Sequence, residues 1–574
     1  MDAAMPPPPP APIAEVRVTD QFSGDRLTIG GIDSSSSWLW QGQGATQPKR
    51  LWLPLDLLVG QMGFQRQSEI SGERLEWYGF QLPLSGVQQR TIGDEVALDA
   101  LPWFNALGVQ VSRTKNTLRV DLPQPQLKTL RQGKGSSANR LVMDLSGPAL
   151  VQRQGDDLLL QIKVTPGQEG QLRRIGLQTR QGLGGLKLLG QASKLSTLTL
   201  KGPWRVVLDG VTPTKPAARR RQYQAFQRAL LAPEMQDLIK NGLVLDQRVV
   251  QVGVKRLQLY RAGVQHNTST LLLRPLAPSH AQPGLRYLNQ LAQPAKALVA
   301  VNGGFFNRVR QLPLGAVRLD NTWLSGPILN RGAIGWDRNG PLMFGRLQLI
   351  QEMTVTGRRR WPLGMLNSGY VQRGLSRYTR AWGPTYRALS GEEQALTLRE
   401  GRVDAVYDQA ALVRGVPLPL KGDLIVARGG IALPARVGDG VTINTRSSNP
   451  LGERPQVLGG GPLLLQKGKV VLNGRQEGFS PGFLAVSAPR TVVAQDKERI
   501  WLLTAKGANG SDPTLLETSL ALRQLELTDA LNLDGGGSTT MLVANTTVMT
   551  GRGITPRVQN GLGFVSESTK VLAN

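Results

Sequence analysis

Cysteine is absent from the 574-residue sequence, and histidine occurs only at His266 and His280. The lack of cysteine excludes disulfide bonds, cysteine-ligated zinc, iron–sulfur clusters and a thiol nucleophile. Two histidines also disfavour a Ser-His-Asp triad and a multi-histidine metal site. Any catalysis must therefore rest on carboxylates, hydroxyls, arginines and backbone amides.

Long hydrophobic runs are missing as well. No stretch of about 18 apolar residues occurs, so we expect no transmembrane segment. The opening MDAAMPPPPPAPIAEV lacks the basic and apolar regions of a signal peptide. Its proline run predicts a polyproline II arm, and we interpret residues 1–14 as a disordered lead. We expect either an intracellular protein or a true start that lies upstream.

Acidic residues are few relative to basic ones. Lysine and arginine total 68 against 41 aspartates and glutamates, which gives a formal charge of +27. This charge predicts attraction to polyanions such as phosphate-containing glycans or nucleic acid. The compact basic clusters, at 218–222 and 357–361, carry no nucleic-acid-binding signature, so we expect no specific nucleic-acid partner.

The length predicts two to four domains, and abundant glycine (67) and proline (37) favour a β-rich chain. In residues 15–124, RLWLPLDLLVGQMGF (Arg50–Phe64) predicts a strand and a helix, and EWYGFQLPL (Glu76–Leu84) predicts a strand. Residues 97–122 predict a helix followed by a hairpin turning at Lys115–Asn116. This pattern resembles the copper amine oxidase N-terminal-like, or stalk, domain, a resemblance that does not imply copper.

Residues 125–211 contain alternating strands that favour a β-sandwich. RLVMDLSGPA (Arg140–Ala149) resembles the start of AMIN-type domains, which associate with the periplasmic cell wall, although an ordinary sandwich spacer explains it equally well. Residues 212–242 predict a linker and a helix at about Tyr223–Leu238. Residues 243–572 alternate strands with one strong helical pattern, and we predict a large mixed-sheet domain there. The expected fold class of the whole chain is α+β.

Four segments of this third unit place glycine or arginine beside an apolar strand. They are VAVNGGFFN (Val299–Asn307), VLGGGPLLL (Val457–Leu465), SAPRTVVAQ (Ser487–Gln495) and LNLDGGGSTTM (Leu531–Met541). Glycine runs let backbone amides approach a ligand, and successive N–H groups can bind an anion. Together the segments predict a pocket for an anionic, hydroxyl-rich ligand, although each glycine run alone is better explained by a turn or a bulge.

In this order along the chain, the four motifs resemble those of the phosphodiester glycosidase family, over about residues 250–565. GSDPTLLETSLALRQLELTDALNLD resembles the family's helix that leads into the aspartate strand, and Pro556–Val565 resembles its closing strand. Pro513 suits the first turn of that helix, and Thr514 with Glu517 predicts a capping box. The resemblance implies hydrolysis of a sugar-1-phosphodiester, such as an N-acetylglucosamine-1-phosphodiester, between the anomeric carbon and oxygen.

For this reaction we expect Asp534 and Arg490 to be catalytic. Glycosidases use carboxylates at the sugar, and a phosphate leaving group needs anion stabilisation rather than a strong acid. Asp534 could instead be structural and tie the glycine turn to neighbouring amides. Asp320, Asp423 and Asp496 are reserve carboxylates. Substrate binding is expected from Asn302, Gly303, Gly304, Gly460, Gly461, Gly535, Gly536, Gly537, Ser538, Thr539 and Arg557.

One departure from the family pattern leaves a second hypothesis open. Many relatives have Asp-Gly-Arg where this chain has Lys506–Gly507 without a following arginine. If that arginine holds the phosphate through two parallel hydrogen bonds from its guanidinium, Lys506 would offer only a single ammonium charge in its place. The alternative function is a non-catalytic glycan-binding or exopolysaccharide-assembly protein of the cell envelope.

The expected partner is an anionic or phosphate-containing glycan, with cell-wall association through the N-terminal modules. No cofactor is certain, and calcium is an option because oxygen-rich sites suit it, although no ligands can be assigned. The domain resemblances favour the periplasm or the cell surface.

Overall fold

The computed structural model describes residues 21–69, 72–92, 95–133, 140–154, 157–182, 184–191, 195–211, 217–266, 271–278, 284–307, 310–338, 340–357, 360–508, 511–551 and 555–566. The expected disordered lead, at 1–14, lies outside these ranges. Strands far outnumber helices in the part described, so the fold is mostly β with added helices. The mixed-sheet part of the α+β expectation agrees with this arrangement, and the division into modules stays a prediction.

The described residues between 21 and 211 are called the N-terminal unit. Its largest sheet has seven strands, in spatial order Gln89–Ile92, Glu95–Asp99, Arg50–Pro54, Ile32–Gln41, Gln21–Ile29, Thr117–Asp121 and Gln110–Arg113. A three-stranded sheet contains Gln65–Glu69, Gly72–Trp77 and Phe80–Pro83. The helices here are Leu55–Gln61, Leu101–Leu107 and Pro166–Arg174.

The local expectations for this unit are mostly confirmed. Arg50–Phe64 forms a strand and then a helix, and a hairpin turns between strands Gln110–Arg113 and Thr117–Asp121. The prediction of one continuous strand at Glu76–Leu84 is wrong. Tyr78 and Gly79 both have positive φ and turn the chain there, which makes the segment part of a hairpin.

Two four-stranded sheets follow in the region predicted as a β-sandwich. One contains Leu127–Gln132, Arg140–Leu145, Arg205–Asp209 and Ser196–Leu200, and the other contains Val151–Gln154, Asp157–Leu160, Gly185–Leu188 and Thr179–Gly182. One continuous cluster of buried apolar side chains runs from Leu27 to Val211. Both predicted N-terminal domains therefore share a core, and the boundary near residue 124 stays a prediction.

Two helices, Ala217–Leu230 and Pro233–Lys240, connect this unit to the rest of the chain. The prediction of a single helix at about Tyr223–Leu238 is wrong, because the helical conformation is interrupted at Leu231–Ala232. Pro233 cannot donate the backbone hydrogen bond that a continuous helix needs, and it begins a new helix instead.

Four larger sheets build the remainder. Sheet A has strands Val244–Val252, Lys255–Gln265, Arg499–Gly507, Arg490–Gln495, Asp529–Asn532, Leu463–Gln466 and Lys469–Val470. Sheet B has Leu271–Leu276, Gly561–Ser566, Ala297–Asn302, Thr540–Val543 and Thr546–Thr550. Sheet C has Thr322–Ser325, Val317–Leu319, Gln456–Gly459, Gly332–Trp336 and Met343–Arg346. Sheet D has Arg402–Tyr407, Glu393–Arg399, Asp423–Arg428, Gly374–Tyr378, Arg360–Leu366, Leu349–Val355 and Val441–Ser447.

Short pairs and helices complete this half. The two-stranded pairs are Arg286–Tyr287 with Arg557–Val558, Phe306–Asn307 with Leu312–Pro313, and Thr385–Tyr386 with Val416–Pro417. The helices are Leu288–Ala292, Gln409–Arg414, Pro481–Ala485 and Leu515–Gln524.

A single apolar cluster joins sheets A, B and C. It includes Val493 and Leu531 of sheet A, Val301 and Met541 of sheet B, and Ile334 of sheet C. The other face of sheet A packs on the helix Leu515–Gln524. Because sheets A and B share a core, the ends of their strands can meet at one place.

Candidate active site

The stretch Leu533–Thr539 crosses from sheet A to sheet B. It leaves the strand Asp529–Asn532, passes Asp534, makes a short 3-10 turn at Gly536–Ser538, and enters the strand Thr540–Val543. A turn, one of the two explanations that the sequence favours for a single glycine run, therefore joins two core strands here. The crossing places the carboxylate of Asp534 where the two sheets meet.

Asn302, at the end of its strand in sheet B, binds this crossing together. Its Nδ2 donates to the carbonyl oxygen of Asp534 at 2.7 Å. Its Oδ1 accepts from the Thr491 hydroxyl at 2.7 Å and from the Thr540 amide at 3.0 Å. The residue has no exposed surface. The side chain thus ties a strand end in each sheet to the backbone of Asp534.

Asp534 and Arg490 line the same cleft, together with the glycine turn Gly535–Gly537. The cleft has a volume of about 370 Å³. Asp534 is 6% exposed and Arg490 is 1% exposed. The structure therefore brings both residues expected to be catalytic to one cleft and buries both side chains, and a buried charge acts more strongly than one in solvent.

Internal partners fix the guanidinium of Arg490. Its Nε donates to the Pro513 carbonyl at 3.3 Å, and its Nη2 donates to the Val486 carbonyl. Burial lowers the pKa of Arg490 to about 10, and the carboxylates of Asp512 and Glu517 oppose that shift. This pKa still lies well above 7, so the side chain keeps its positive charge in neutral solution.

The glycine turn rests directly on the backbone that precedes Arg490. The Gly536 amide donates to the Pro489 carbonyl at 2.8 Å. A Cβ on Gly535 would lie 2.9 Å from the same carbonyl oxygen, which leaves no room for a side chain. The Gly535 amide donates to Oδ1 of Asp534 at 3.0 Å, so the turn also orients the carboxylate.

The other predicted glycines lie outside the cleft wall, and close backbone contacts account for them. The amides of Gly303 and Gly304 donate to the backbone oxygen and side-chain Oδ1 of Asn560, at 2.9 and 2.8 Å. The amides of Gly460 and Gly461 donate to backbone carbonyls at 2.9 and 2.7 Å. These four N–H groups therefore have partners within the protein, and their expected contact with substrate stays a prediction.

The remaining predicted binding residues also lie outside the cleft lining. Ser538 is buried in the turn, and its carbonyl accepts from the Thr540 hydroxyl at 3.2 Å. The hydroxyl oxygen of Thr539 is buried and has no hydrogen-bond partner among the described residues. Arg557 is exposed on a short strand that pairs with Arg286–Tyr287.

The three reserve carboxylates are engaged away from the cleft. Asp423 forms a two-pronged ion pair with Arg377, with N–O distances of 2.7 and 3.2 Å. Asp320 pairs with Arg274. Asp496 accepts hydrogen bonds from nearby backbone amides and from the indole of Trp501.

The sequence reasoning missed an aromatic wall and its cation. Phe305, Phe479 and Phe483 line the cleft with ring centroids 4.7 to 5.7 Å apart. The guanidinium of Arg331 lies 4.0 Å from the ring centroid of Phe479 and also lines the cleft. The phenylalanine pair in VAVNGGFFN was a local signal for part of this wall, whereas Arg331 has no neighbouring motif.

The sequence reasoning also missed a second wall, which the N-terminal unit supplies. Six of its members are Ser36, Asp56, Gln61, Glu95, Val96 and Arg153. They are distant in sequence from every motif described above, so no local pattern could assign them to this cleft. The site is therefore built from both halves of the chain.

The segment that departs from the family's Asp-Gly-Arg pattern lies beside the candidate site. Lys506 and Gly507 end a strand of sheet A, and the Gly507 amide donates to the Asp512 carboxylate at 3.1 Å. Thr514 and Glu517 form the predicted capping box. Pro513 precedes the helix cap rather than standing in the first turn, because the helix begins at Leu515.

In the described ranges no three histidine, aspartate or glutamate side chains cluster in a way that could hold a metal ion. The calcium expectation stays a prediction. No helix in the same ranges combines the length and apolar composition that a bilayer span requires.

Comparison with known proteins yields one family model and several solved structures. Residues 400–565, which include Arg490 and Asp534, match the phosphodiester glycosidase family model. No curated protein matches the chain. A hypothetical protein from Synechocystis is 30% identical, with coverage of 95% of this chain and 99% of that one and a TM-score of 0.55.

Two further structures are more distant. A protein from Burkholderia pseudomallei K96243 is 18% identical over 78% of this chain and 98% of that one, with a TM-score of 0.47. The catalytic domain of zebrafish N-acetylglucosamine-1-phosphodiester alpha-N-acetylglucosaminidase, auto-inhibited by its pro-peptide, is 15% identical over 56% of this chain and 82% of that one, with a TM-score of 0.33. The stalk-domain resemblance has no counterpart among these matches. The chain belongs to the same family as the Synechocystis protein, and its residues 400–565 match the phosphodiester glycosidase domain.

Proposed function

We propose that the chain hydrolyses glycosyl-1-phosphodiesters. The observation that carries the proposal is the cleft that Asp534, Arg490 and the glycine turn share, with all of these residues inside the segment that matches the glycosidase family. A buried carboxylate and a buried cation that line one cleft suit a reaction that separates a sugar cation from a phosphate anion.

In this reaction the bond between the anomeric carbon and the phosphate oxygen breaks, and its electron pair leaves with the phosphate. Water supplies the new oxygen on the sugar, and the products are a free sugar, a phosphomonoester and a proton. Asp534 stabilises the positive charge that develops at the anomeric carbon. The fixed guanidinium of Arg490 stabilises the departing phosphate, which needs no strong general acid.

The specific substrate that we propose is an N-acetylglucosamine-1-phosphodiester in a cell-envelope or extracellular polysaccharide. The net charge of +27 supports an anionic polymer as substrate. Location in the periplasm or at the cell surface belongs to the same proposal, and fractionation of cells that produce the protein tests it.

The experiment that tests the activity is hydrolysis of sugar-1-phosphodiesters in water enriched in heavy oxygen. N-acetylglucosamine, glucose and mannose derivatives are compared, with and without calcium. We expect the heavy isotope in the sugar product, because the carbon–oxygen bond breaks. Label in the phosphate would indicate cleavage at phosphorus and contradict the proposal. Binding of these compounds without turnover would favour the glycan-binding alternative.

A further inference from the structure

The cleft has two chemically different walls. The wall from residues 305–490 carries three phenylalanines and Arg331. The N-terminal unit contributes polar side chains, among them Asp56, Gln61, Glu95 and Arg153, beside the apolar side chains of Leu55, Leu57, Val59 and Val96. A volume of about 370 Å³ lies within the usual range for small-molecule sites, so one ligand can touch both walls.

Specific contacts hold the N-terminal wall in place. The hydroxyl of Ser480 donates to Oε1 of Glu95 at 2.8 Å, across an interval of 385 residues. Ser480 also caps the helix Pro481–Ala485, which carries Phe483 into the cleft. A Cβ on Gly482 would lie 3.0 Å from the Ser35 carbonyl oxygen, so the helix and the strand Ile32–Gln41 are in close contact.

The polar groups of this wall are positioned by the fold. Gln61 ends the helix Leu55–Gln61, and its Oε1 accepts a hydrogen bond from the Ser34 hydroxyl at 2.6 Å. Asp56 stands in the first turn of the same helix and is exposed. Both side chains line the cleft, and a carboxylate and an amide are groups that bind hydroxyls on a ligand.

The two ends of the cleft therefore suit different parts of one substrate. Asp534 and Arg490 must reach the anomeric carbon and the phosphate, which occupy the glycine-turn end. The alcohol on the far side of the phosphate then lies against the remaining wall, where Asp56 and Gln61 are groups that can bind its hydroxyls.

We propose that the N-terminal unit completes the substrate site, and that Gln61 and Asp56 select a polyhydroxylated alcohol, such as a glycerol or sugar unit, on the phosphate. This inference rests on the proposed glycosidase function. It assigns a substrate-selecting role to a region outside the segment that matches the family.

The experiment compares two substrates of the full-length protein, the methyl and the glycerol esters of N-acetylglucosamine-1-phosphate. The measured quantity is the ratio of kcat/KM for the glycerol ester to that for the methyl ester. We expect Gln61→Ala and Asp56→Ala each to lower this ratio about 10-fold, the effect of one lost hydrogen bond to a bound hydroxyl. Gln43→Ala and Asp25→Ala, exposed on the same unit away from the cleft, should leave it unchanged.

Circular dichroism and thermal melting confirm that each variant is folded, and Asp56 is exposed enough for its variant to fold normally. An unchanged ratio in both cleft variants, with both esters hydrolysed by the wild type, would overturn the inference and leave the glycosidase function intact. An equal fall in the control variants would also overturn it. Absence of turnover on both esters by the wild type would refute the inference together with the proposed function.

Discussion

Replacement of Asn302 tests how the crossing between sheets A and B is stabilised, because its one buried amide binds three groups there. Replacing it with alanine removes the hydrogen bonds to the Asp534 carbonyl, the Thr491 hydroxyl and the Thr540 amide. Each buried group that loses its partner costs about 1–3 kcal/mol, and the costs are not additive. We therefore expect Asn302→Ala to destabilise the crossing by about 3–5 kcal/mol.

Hydrogen exchange of the Thr540 amide measures this effect locally, which matters because a chain of several units need not unfold in one step. A loss of about 3 kcal/mol in opening free energy speeds exchange more than about 100-fold. Equal exchange of the Thr540 amide in Asn302→Ala and in the exposed control Asn444→Ala would contradict this expectation.

Three further predictions concern stability. Gly535→Ala should lower Tm more than Gly537→Ala, because an added Cβ meets a carbonyl at 2.9 Å in the first case and open space in the second. Burial raises the pKa of Glu477, so its contribution to stability falls as pH rises through the folded pKa. The Tm of the wild type relative to Glu477→Gln should therefore decrease from about pH 4 to about pH 7. Glu393→Gln leaves the buried guanidinium of Arg428 uncompensated and should cost about 3–5 kcal/mol in a denaturant titration.

The sequence predicted the crossing itself well. A run of apolar residues, a carboxylate, three glycines and a second apolar run favour a polar turn between strands, and both strands are present. The four segments together predicted one pocket, and the family resemblance assigned Asp534 and Arg490 to its chemistry. Periodicity alone would not have paired them.

Other parts of the site could not be predicted, because their signals are not local. Asn302 was expected to contact substrate, yet its amide is used to join three backbone segments, which only the three-dimensional arrangement reveals. Gln61 and Asp56 reach the cleft through contacts between residues hundreds of positions apart, such as Ser480 with Glu95. Glycine runs likewise do not distinguish an amide that binds a ligand from one that binds a neighbouring strand.

If Asp534 acts at the reacting carbon of a glycosyl-1-phosphodiester, its carboxylate is needed for turnover. The experiment compares the kcat of Asp534→Asn with that of wild type on a substrate that the wild type hydrolyses. Asp496→Asn, a carboxylate engaged away from the cleft, serves as the matched control. Loss of at least about 100-fold in kcat in Asp534→Asn, with folding retained and Asp496→Asn active, is the predicted result. Equal kcat in Asp534→Asn and wild type would contradict the account.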